Sequence, residues 1–200
     1  GTAQVKHGPF RPTDLLTEIR DIMTVRTEEK GLSLHLQAEP LSDRLINGPS
    51  DIIRNILLNL VGNAVKFTEA GSIHINSGFG HKGSQSYIWF TVADTGIGIA
   101  DAAVERIFQP FQQADDTVLN RFGGTGLGLS ICKQLVEQVD GTISVDSHIG
   151  QGSKFRIEVP INTVAEQPTD IDAPNDSIIN ILSFGELKPA LLTSAQSQDN

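Results

Sequence analysis

The stretch NLVGNAVKFT, residues 59–68, closes the longest helical pattern in this 200-residue chain. The pattern begins at residue 49, and its apolar positions recur at helical spacing: Ile53, Ile56, Leu57, Leu60, Ala64 and Phe67. The opposite side carries amides and an ammonium group: Asn55, Asn59, Asn63 and Lys66. We therefore predict a helix that packs its apolar face on a sheet and presents a polar face along its length.

The polar face of this helix has two interpretations. Asparagine is a mediocre helix former, so a row of asparagines on one face suggests a role other than helix stability. Amide oxygens can ligate Mg²⁺, and a lysine can meet phosphate oxygens. A solvated polar surface explains the same residues, because exposed asparagine is common. The helix alone leaves both interpretations open.

The rest of the chain alternates irregularly between strand and helix patterns. Strands are predicted at residues 32–37, 72–77, 86–93, 142–146 and 154–159, and helices at 12–30, 101–108 and 129–139. A G-x-G-x-x-G match at residues 78–83 opens no helix, so we predict a loop there. Without regular βαβ alternation, the fold class predicted is α+β, a two-layer sandwich.

Glycine-rich segments adjoin three of these elements. In DTGIGI, residues 94–99, Asp94 follows an apolar strand and can accept a hydrogen bond from an adenine amine, although a tight turn explains it too. GGTGLGLS, residues 123–130, precedes a helix and can offer backbone amides to a phosphate. GQGSKF, residues 150–155, is most simply a hairpin turn.

Composition excludes several classes of function. The net charge is −9 with no basic cluster, which argues against nucleic acid and anionic membrane surfaces. The single cysteine, Cys132, precludes an internal disulfide and fits a reducing compartment. No apolar run approaches the ~20 residues of a membrane span. Because the chain begins at Gly1, we expect a fragment of a longer protein.

Taken in order, these segments resemble the histidine-kinase branch of the GHKL ATPases. Residues 59–68 resemble its N box, 94–98 its G1 box, 108–111 (FQPF) its F box, 124–129 its G2 box, and 150–153 its last glycine turn. The resemblance covers about residues 10–160. It implies a Bergerat-type fold, in which helices cover one face of a mixed sheet and a flexible lid, residues 112–123, closes over ATP.

The resemblance also implies a binding site for ATP and Mg²⁺. Asn63 is the implied magnesium ligand, and Asn59, Lys66 and Arg121 are the implied catalytic residues. Position 120, where many relatives carry an arginine, is Asn120 here. The residues implied to bind ATP are Asn59, Asn63, Lys66, Phe67, Asp94, Gly96, Gly98, Ile99, Phe108, Gly124, Thr125, Gly126, Leu127, Gly128 and Leu129.

The residue at position 59 bears on the reaction. Hydrolysing members of the superfamily have a glutamate there, and the amide of Asn59 cannot take a proton from water. The resemblance therefore implies a protein-histidine kinase that transfers the γ-phosphoryl group to a histidine. The acceptor histidine motif is absent, so we expect no autophosphorylation. Two alternatives are a catalytically degenerate nucleotide-binding module and a GHKL-type hydrolase.

The predicted organisation has three parts. Residues 1–9 are a cloning or linker remnant, residues 10–160 the catalytic ATP-binding domain, and residues 161–200 an acidic tail that would lead to a receiver domain. The expected partners are the dimerisation and histidine-phosphotransfer domain of the same kinase and a receiver domain or response regulator. We expect the fragment to be monomeric and to belong to the cytoplasmic part of an inner-membrane sensor.

Overall fold

The computed structural model describes residues 5–39, 44–110 and 126–163. The helices within these ranges are α1 (Pro12–Glu29), α2 (Ser50–Phe67), α3 (Asp101–Val104) and α4 (Gly128–Glu137). The strands are β1 (Gly8–Phe10), β2 (Ser33–Ala38), β3 (Ile46–Gly48), β4 (Ser72–Lys82), β5 (Gln85–Asp94), β6 (Thr142–His148), β7 (Gly152–Pro160) and β8 (Asn162–Thr163). None of the helices in these ranges is long and apolar enough to cross a membrane.

A five-stranded mixed sheet forms one layer. Its order is β2-β4-β5-β7-β6, in which β2 pairs with β4 in parallel and the other pairs are antiparallel. Side chains alternate between the two faces of each strand. The inner face is apolar and buried, and it includes Ile73, Ile75, Ile88, Phe90, Val92, Phe155, Ile157 and Val159. The outer face carries exposed polar residues such as Ser144, Asp146 and Lys154.

Three helices form the second layer over the inner face. α2 lies against β4 and β5, α1 against β2, and α4 against β6 and β7, and both α1 and α4 also contact α2. α2 buries the residues that its helical spacing predicted, together with Val61 and Val65, whereas Phe67 is half-buried. The predicted α+β sandwich, with a mixed sheet under a layer of helices, is confirmed.

The loop predicted at residues 78–83 is wrong, because β4 continues to Lys82. Gly78 lies directly opposite Trp89, and Gly80 lies opposite Tyr87. A Cβ at either glycine would overlap the opposing ring. The glycines therefore make room for two cross-strand aromatic side chains, and they do not mark a break in the strand.

A small antiparallel sheet, β1-β3-β8, was not predicted. Its strands have two or three residues each, which is too short for a periodic pattern to be recognised. α1 begins after Arg11 and α2 after Pro49, so Ser50 is the first helical residue of α2. The predicted domain boundaries stay a prediction.

Candidate functional site

Asp94, the last residue of β5, lies at one end of the candidate site. Its Oδ1 accepts a hydrogen bond from the backbone N–H of Gly96 at 2.8 Å. Burial raises the pKa of the carboxyl group, and hydrogen bonds from the backbone amides of Gly96 and Ser153 partly oppose that rise. The carboxylate is thus held by backbone amides at the end of a strand, where its remaining lone pairs can accept from a ligand.

The loop after Asp94 lies between the end of α2 and the β6–β7 turn. The N–H of Ile97 donates to the carbonyl oxygen of Phe67 at 3.3 Å, and the N–H of Gly150 donates to the carbonyl oxygen of Ile97 at 2.8 Å. A Cβ at Gly96 would overlap the Phe67 carbonyl oxygen. Gly98 has a φ of +71°, and a Cβ there would overlap the backbone at residue 148. Both glycines are therefore required for this close approach of three backbone segments.

Two buried serines, Ser147 of β6 and Ser153 of β7, lie beside the same loop, and Ser147 hydrogen-bonds to it. Ser147 Oγ accepts from the N–H of Ile99 at 2.8 Å and donates to the carbonyl oxygen of Gly152 at 2.8 Å. It also lies 2.9 Å from Ser153 Oγ. Ser147 is not among the site residues that the sequence predicted. The signal that could have identified it is its inward register, since it continues the alternation of Ile143 and Val145 along β6.

The amide face of α2 meets the first residues of α4. Asn59 and Asn63 are half-buried. A Cβ on Gly128 would lie 3.6 Å from Asn59 Oδ1 and 3.8 Å from Asn63 Nδ2. The N-cap residue Leu127 makes no side-chain capping hydrogen bond. The positive end of a helix dipole and two carboxamides therefore converge on one point, an arrangement that suits an anion.

The last turn of α2 carries a cation and an aromatic ring, and its final carbonyl group contacts the loop after Asp94. Lys66 Nζ lies 4.7 Å from the centroid of the Phe67 ring. Burial lowers the pKa of Lys66. Phe67 follows Asn59 by eight residues of helix, about 12 Å along the axis. The Asp94 end of the site can therefore accept a hydrogen bond from a base, and the Asn59 end, beside the start of α4, can bind phosphates.

The apolar residues predicted to line the site pack against the core around it. Ile99, Phe108 and Leu129 are partly buried beside the core. The Phe108 ring also meets the Phe155 ring edge-on, with 6.5 Å between the centroids. Several predicted residues lie outside the described residues, namely Phe111, the lid at 112–123 with Asn120 and Arg121, Gly124 and Thr125.

The chemistry of the donor set is compatible with a magnesium ion bound mainly through a phosphate ligand. The described residues contain no group of three or more His, Cys, Asp or Glu side chains that could hold a metal ion by themselves. Mg²⁺ bound beside nucleotide phosphates needs only one or two protein oxygens and keeps several waters. The carboxamides of Asn59 and Asn63, next to the start of α4, meet that requirement.

Comparison with known families gives a match over most of the described region. The family model for the "Histidine kinase-, DNA gyrase B-, and HSP90-like ATPase" matches residues 48–163. The matched range includes α2, the Asp94 loop and α4, which together form the site described above.

Several curated proteins are similar to this chain. Sensor histidine kinase AruS of Pseudomonas aeruginosa is 37% identical over 86% of this chain and 17% of its own length. The autoinducer 2 sensor kinase/phosphatase LuxQ of Vibrio cholerae is 36% identical over 87% of this chain and 20% of its own. Hybrid signal transduction histidine kinase A of Dictyostelium discoideum is 36% identical over 82% and 8% respectively. The chain thus spans a fifth or less of the length of these relatives.

Solved structures agree with the fold. Full-length ShkA in complex with AMPPNP superposes with a TM-score of 0.71 at 35% identity, covering 82% of this chain and 33% of that one. The nucleotide-free catalytic domain of histidine kinase ThkA superposes with a TM-score of 0.64 at 24% identity, covering 78% of this chain and 95% of that one. The architecture described above is therefore that of histidine-kinase catalytic domains.

Proposed function

Because this chain belongs to the histidine kinase-, DNA gyrase B- and HSP90-like ATPase family, we propose that it is the ATP-binding catalytic domain of a two-component sensor histidine kinase. The observation that carries the proposal is the placement of Asp94. Its carboxylate is held by Gly96 beside the end of α2, and the amide face of the same helix leads to the N-terminus of α4. A hydrogen-bond acceptor for the adenine base and a binding site for the phosphates therefore lie along the same helix.

The proposed nucleotide lies along α2. Asp94 accepts a hydrogen bond from the exocyclic amine of adenine, and a flat base can approach the backbone at Gly96 and Gly98. The apolar walls are Phe67, Ile99 and Phe108. The phosphates lie toward the N-terminus of α4, where residues 126–129 supply backbone amides, and the long side chain of Lys66 is proposed to extend from the last turn of α2 and supply charge. Gly124 and Thr125 are proposed to extend this cradle.

Asn63 is the proposed protein ligand of Mg²⁺, with Asn59 beside it. When bound, the ion neutralises phosphate charge and orients the triphosphate. The chain's own contribution is the fixed carboxamide pair, which α2 holds against the first turn of α4. Because amides are neutral, the ion would be held tightly only together with the nucleotide phosphates.

The proposed reaction is phosphoryl transfer to a histidine of another domain. An imidazole nitrogen forms a bond to the γ-phosphorus, the bond to the β–γ bridging oxygen breaks, and ADP leaves with the bond electrons. Lys66 and Arg121 are proposed to offset charge on the transferring group. Asn59 cannot act as a general base toward water, which disfavours hydrolysis and favours transfer.

The proposed partners follow from this chemistry. The acceptor belongs to the dimerisation and phosphotransfer domain of the same kinase, and the phosphoryl group then passes to a receiver domain or response regulator. The similar proteins are called sensor and hybrid histidine kinases, which supports this order. We place the domain on the cytoplasmic side of a membrane-bound parent, where ATP is available.

A trans-phosphorylation experiment tests this function. The chain is incubated with Mg²⁺ and γ-labelled ATP, alone and with the separately expressed dimerisation domain of its parent. We expect negligible phosphate release by the chain alone, and acid-labile label on the added domain. Asp94→Asn should abolish the labelling, whereas Asn55→Ala, on an exposed position of the same helix, should not.

Each alternative function predicts a different result in that experiment. Turnover comparable to that of a dedicated ATPase would identify a hydrolase. Tight nucleotide binding without label on a folded dimerisation domain would identify a degenerate nucleotide-binding module. Either result would refute the kinase proposal.

A further inference from the structure

The last turn of α2 has an unusual set of hydrogen-bond partners. The last four carbonyl groups of a helix lack the partners that continued helix would supply, and each needs another donor. The Ala64 carbonyl oxygen accepts from the N–H of Thr68 at 3.1 Å. The Phe67 carbonyl oxygen accepts from the N–H of Ile97 at 3.3 Å, in the loop after Asp94. The carbonyl oxygens between them, those of Val65 and Lys66, accept hydrogen bonds from a side chain of another helix.

Lys30 supplies the missing donors. Its Nζ donates to the carbonyl oxygens of Val65 at 2.7 Å, Lys66 at 3.0 Å and Thr68 at 3.3 Å. An ammonium group has three N–H donors, and here all three have a carbonyl acceptor. Lys30 is the C-cap residue of α1, so this contact ties the end of α1 to the end of α2. Its positive charge also lies at the negative end of the α2 dipole.

The position of this helix end matters for the Asp94 loop. The Phe67 carbonyl holds Ile97 through a hydrogen bond, and Gly96 is in close contact with the same oxygen. Gly96 in turn donates to the Asp94 carboxylate. A shift of the last turn of α2 would therefore move Phe67, then the loop, and then the donor that orients Asp94.

We infer that Lys30 is a positioning residue for nucleotide binding, which acts by fixing the last turn of α2 and, through Phe67, the loop that orients Asp94. The inference rests on the proposed function, because it takes Asp94 as the adenine acceptor. It assigns a role in the site to a lysine that lies outside every motif of the sequence analysis. The ammonium group acts through the backbone of α2 and needs no contact with the nucleotide.

Calorimetric titration with Mg·ADP tests the inference on the whole chain. Lys30→Met keeps the apolar stem and removes the donors, so we expect the Kd to rise about threefold to tenfold. Lys30→Arg keeps charge and donors and should restore most of the affinity. Lys82→Met is the matched control, since Lys82 is an exposed lysine with one carboxylate partner, Glu158, at 2.6 Å. It should bind as the wild type does.

Amide NMR spectra separate positioning from general stability. At a temperature where all variants are folded, Lys30→Met should shift the amide resonances of Gly96 and Ile97, and Lys82→Met should not. If Lys30→Met does not fold, Lys30→Gln carries the same comparison. Wild-type affinity in the Lys30 variant would overturn the inference, as would weaker binding with unmoved Gly96 and Ile97 resonances and no recovery in Lys30→Arg.

Asp94→Asn is measured in the same series to separate the two proposals. If Asp94→Asn abolishes binding and Lys30→Met leaves it unchanged, the Lys30 inference fails and the proposed pocket stands. If Asp94→Asn binds Mg·ADP as the wild type does, the proposed pocket itself is wrong.

Discussion

Gly98→Ala should damage both the stability and the nucleotide affinity of the domain, because two backbone segments meet at this glycine. Gly98 has a φ of +71°, a region that alanine adopts at a cost of ~1 kcal/mol. A Cβ at this position would also lie 2.6 Å from the His148 carbonyl carbon and 3.0 Å from the Ile149 Cα. The β6–β7 turn would have to retreat by about 1 Å to reach ordinary van der Waals contact.

Gly150→Ala is the matched control for that prediction. Gly150 has a similar φ of +76°, but a Cβ there would meet nothing within 4 Å. Gly150→Ala should therefore lower the unfolding free energy only through the unfavourable backbone conformation of alanine at this φ. Retreat of the turn in Gly98→Ala would additionally strain the hydrogen bond from the Gly150 N–H to the Ile97 carbonyl oxygen, 2.8 Å long in the wild type. We expect Gly98→Ala to cost about 2 kcal/mol more than Gly150→Ala.

Urea unfolding and thermal melting measure this difference. For a domain of this size, about 2 kcal/mol corresponds to a melting temperature ~4–8 °C lower in Gly98→Ala than in Gly150→Ala. Calorimetry with Mg·ADP should show weaker binding in Gly98→Ala alone. Equal unfolding free energies in the two variants would mean that the Asp94 loop does not pack on the β6–β7 turn, and the description of the site would be wrong.

Three further predictions concern the same site. Ser147→Ala leaves the partly buried N–H of Ile99 without its acceptor, so the unfolding free energy should fall by ~1–3 kcal/mol in urea titrations. Ser144→Ala, at an exposed position of the same strand, should leave it unchanged within error. Asn63→Ala should lower ADP affinity only when Mg²⁺ is present, and Asn55→Ala should not, as calorimetry with and without EDTA would show. Burial raises the pKa of Asp94 in the folded chain, so its contribution to stability is present at low pH and is lost as pH rises through that pKa. ADP affinity should instead rise with pH over the same range, and Asp94→Asn should remove both pH dependences.

The sequence predicted the parts of the structure that have a strong period or a strong turn signal. α2 was recognisable because its apolar residues recur at helical spacing, and Asp94 because it ends an apolar strand before two glycines. The asparagine face was visible, but its contact with the start of α4 is tertiary and has no local signal. The loop prediction at residues 78–83 was wrong because the sequence alone does not distinguish a glycine that faces an aromatic residue across a sheet from a glycine in a loop.

The support of the site was harder to predict than the site itself. Ser147 and Lys30 act through backbone atoms of segments that are distant in the sequence, so their spacing carries no information about the contact. The roles proposed for Arg121, Gly124 and Thr125 stay predictions, since these residues lie outside the described ranges. Mg²⁺ at Asn63 likewise stays a proposal, supported by the convergence of two carboxamides on the N-terminus of α4.

The measurement that tests the central claim most directly is calorimetric titration of ADP and AMPPNP, with and without Mg²⁺, into the wild-type chain and Asp94→Asn. The Asn side chain keeps an oxygen acceptor for the Gly96 amide, and it relieves the burial of a charge, so the variant should remain folded. We predict magnesium-dependent binding to the wild type that collapses in the variant. Absence of binding to a folded wild-type chain, or unchanged binding to Asp94→Asn, would contradict the assignment of this site to ATP.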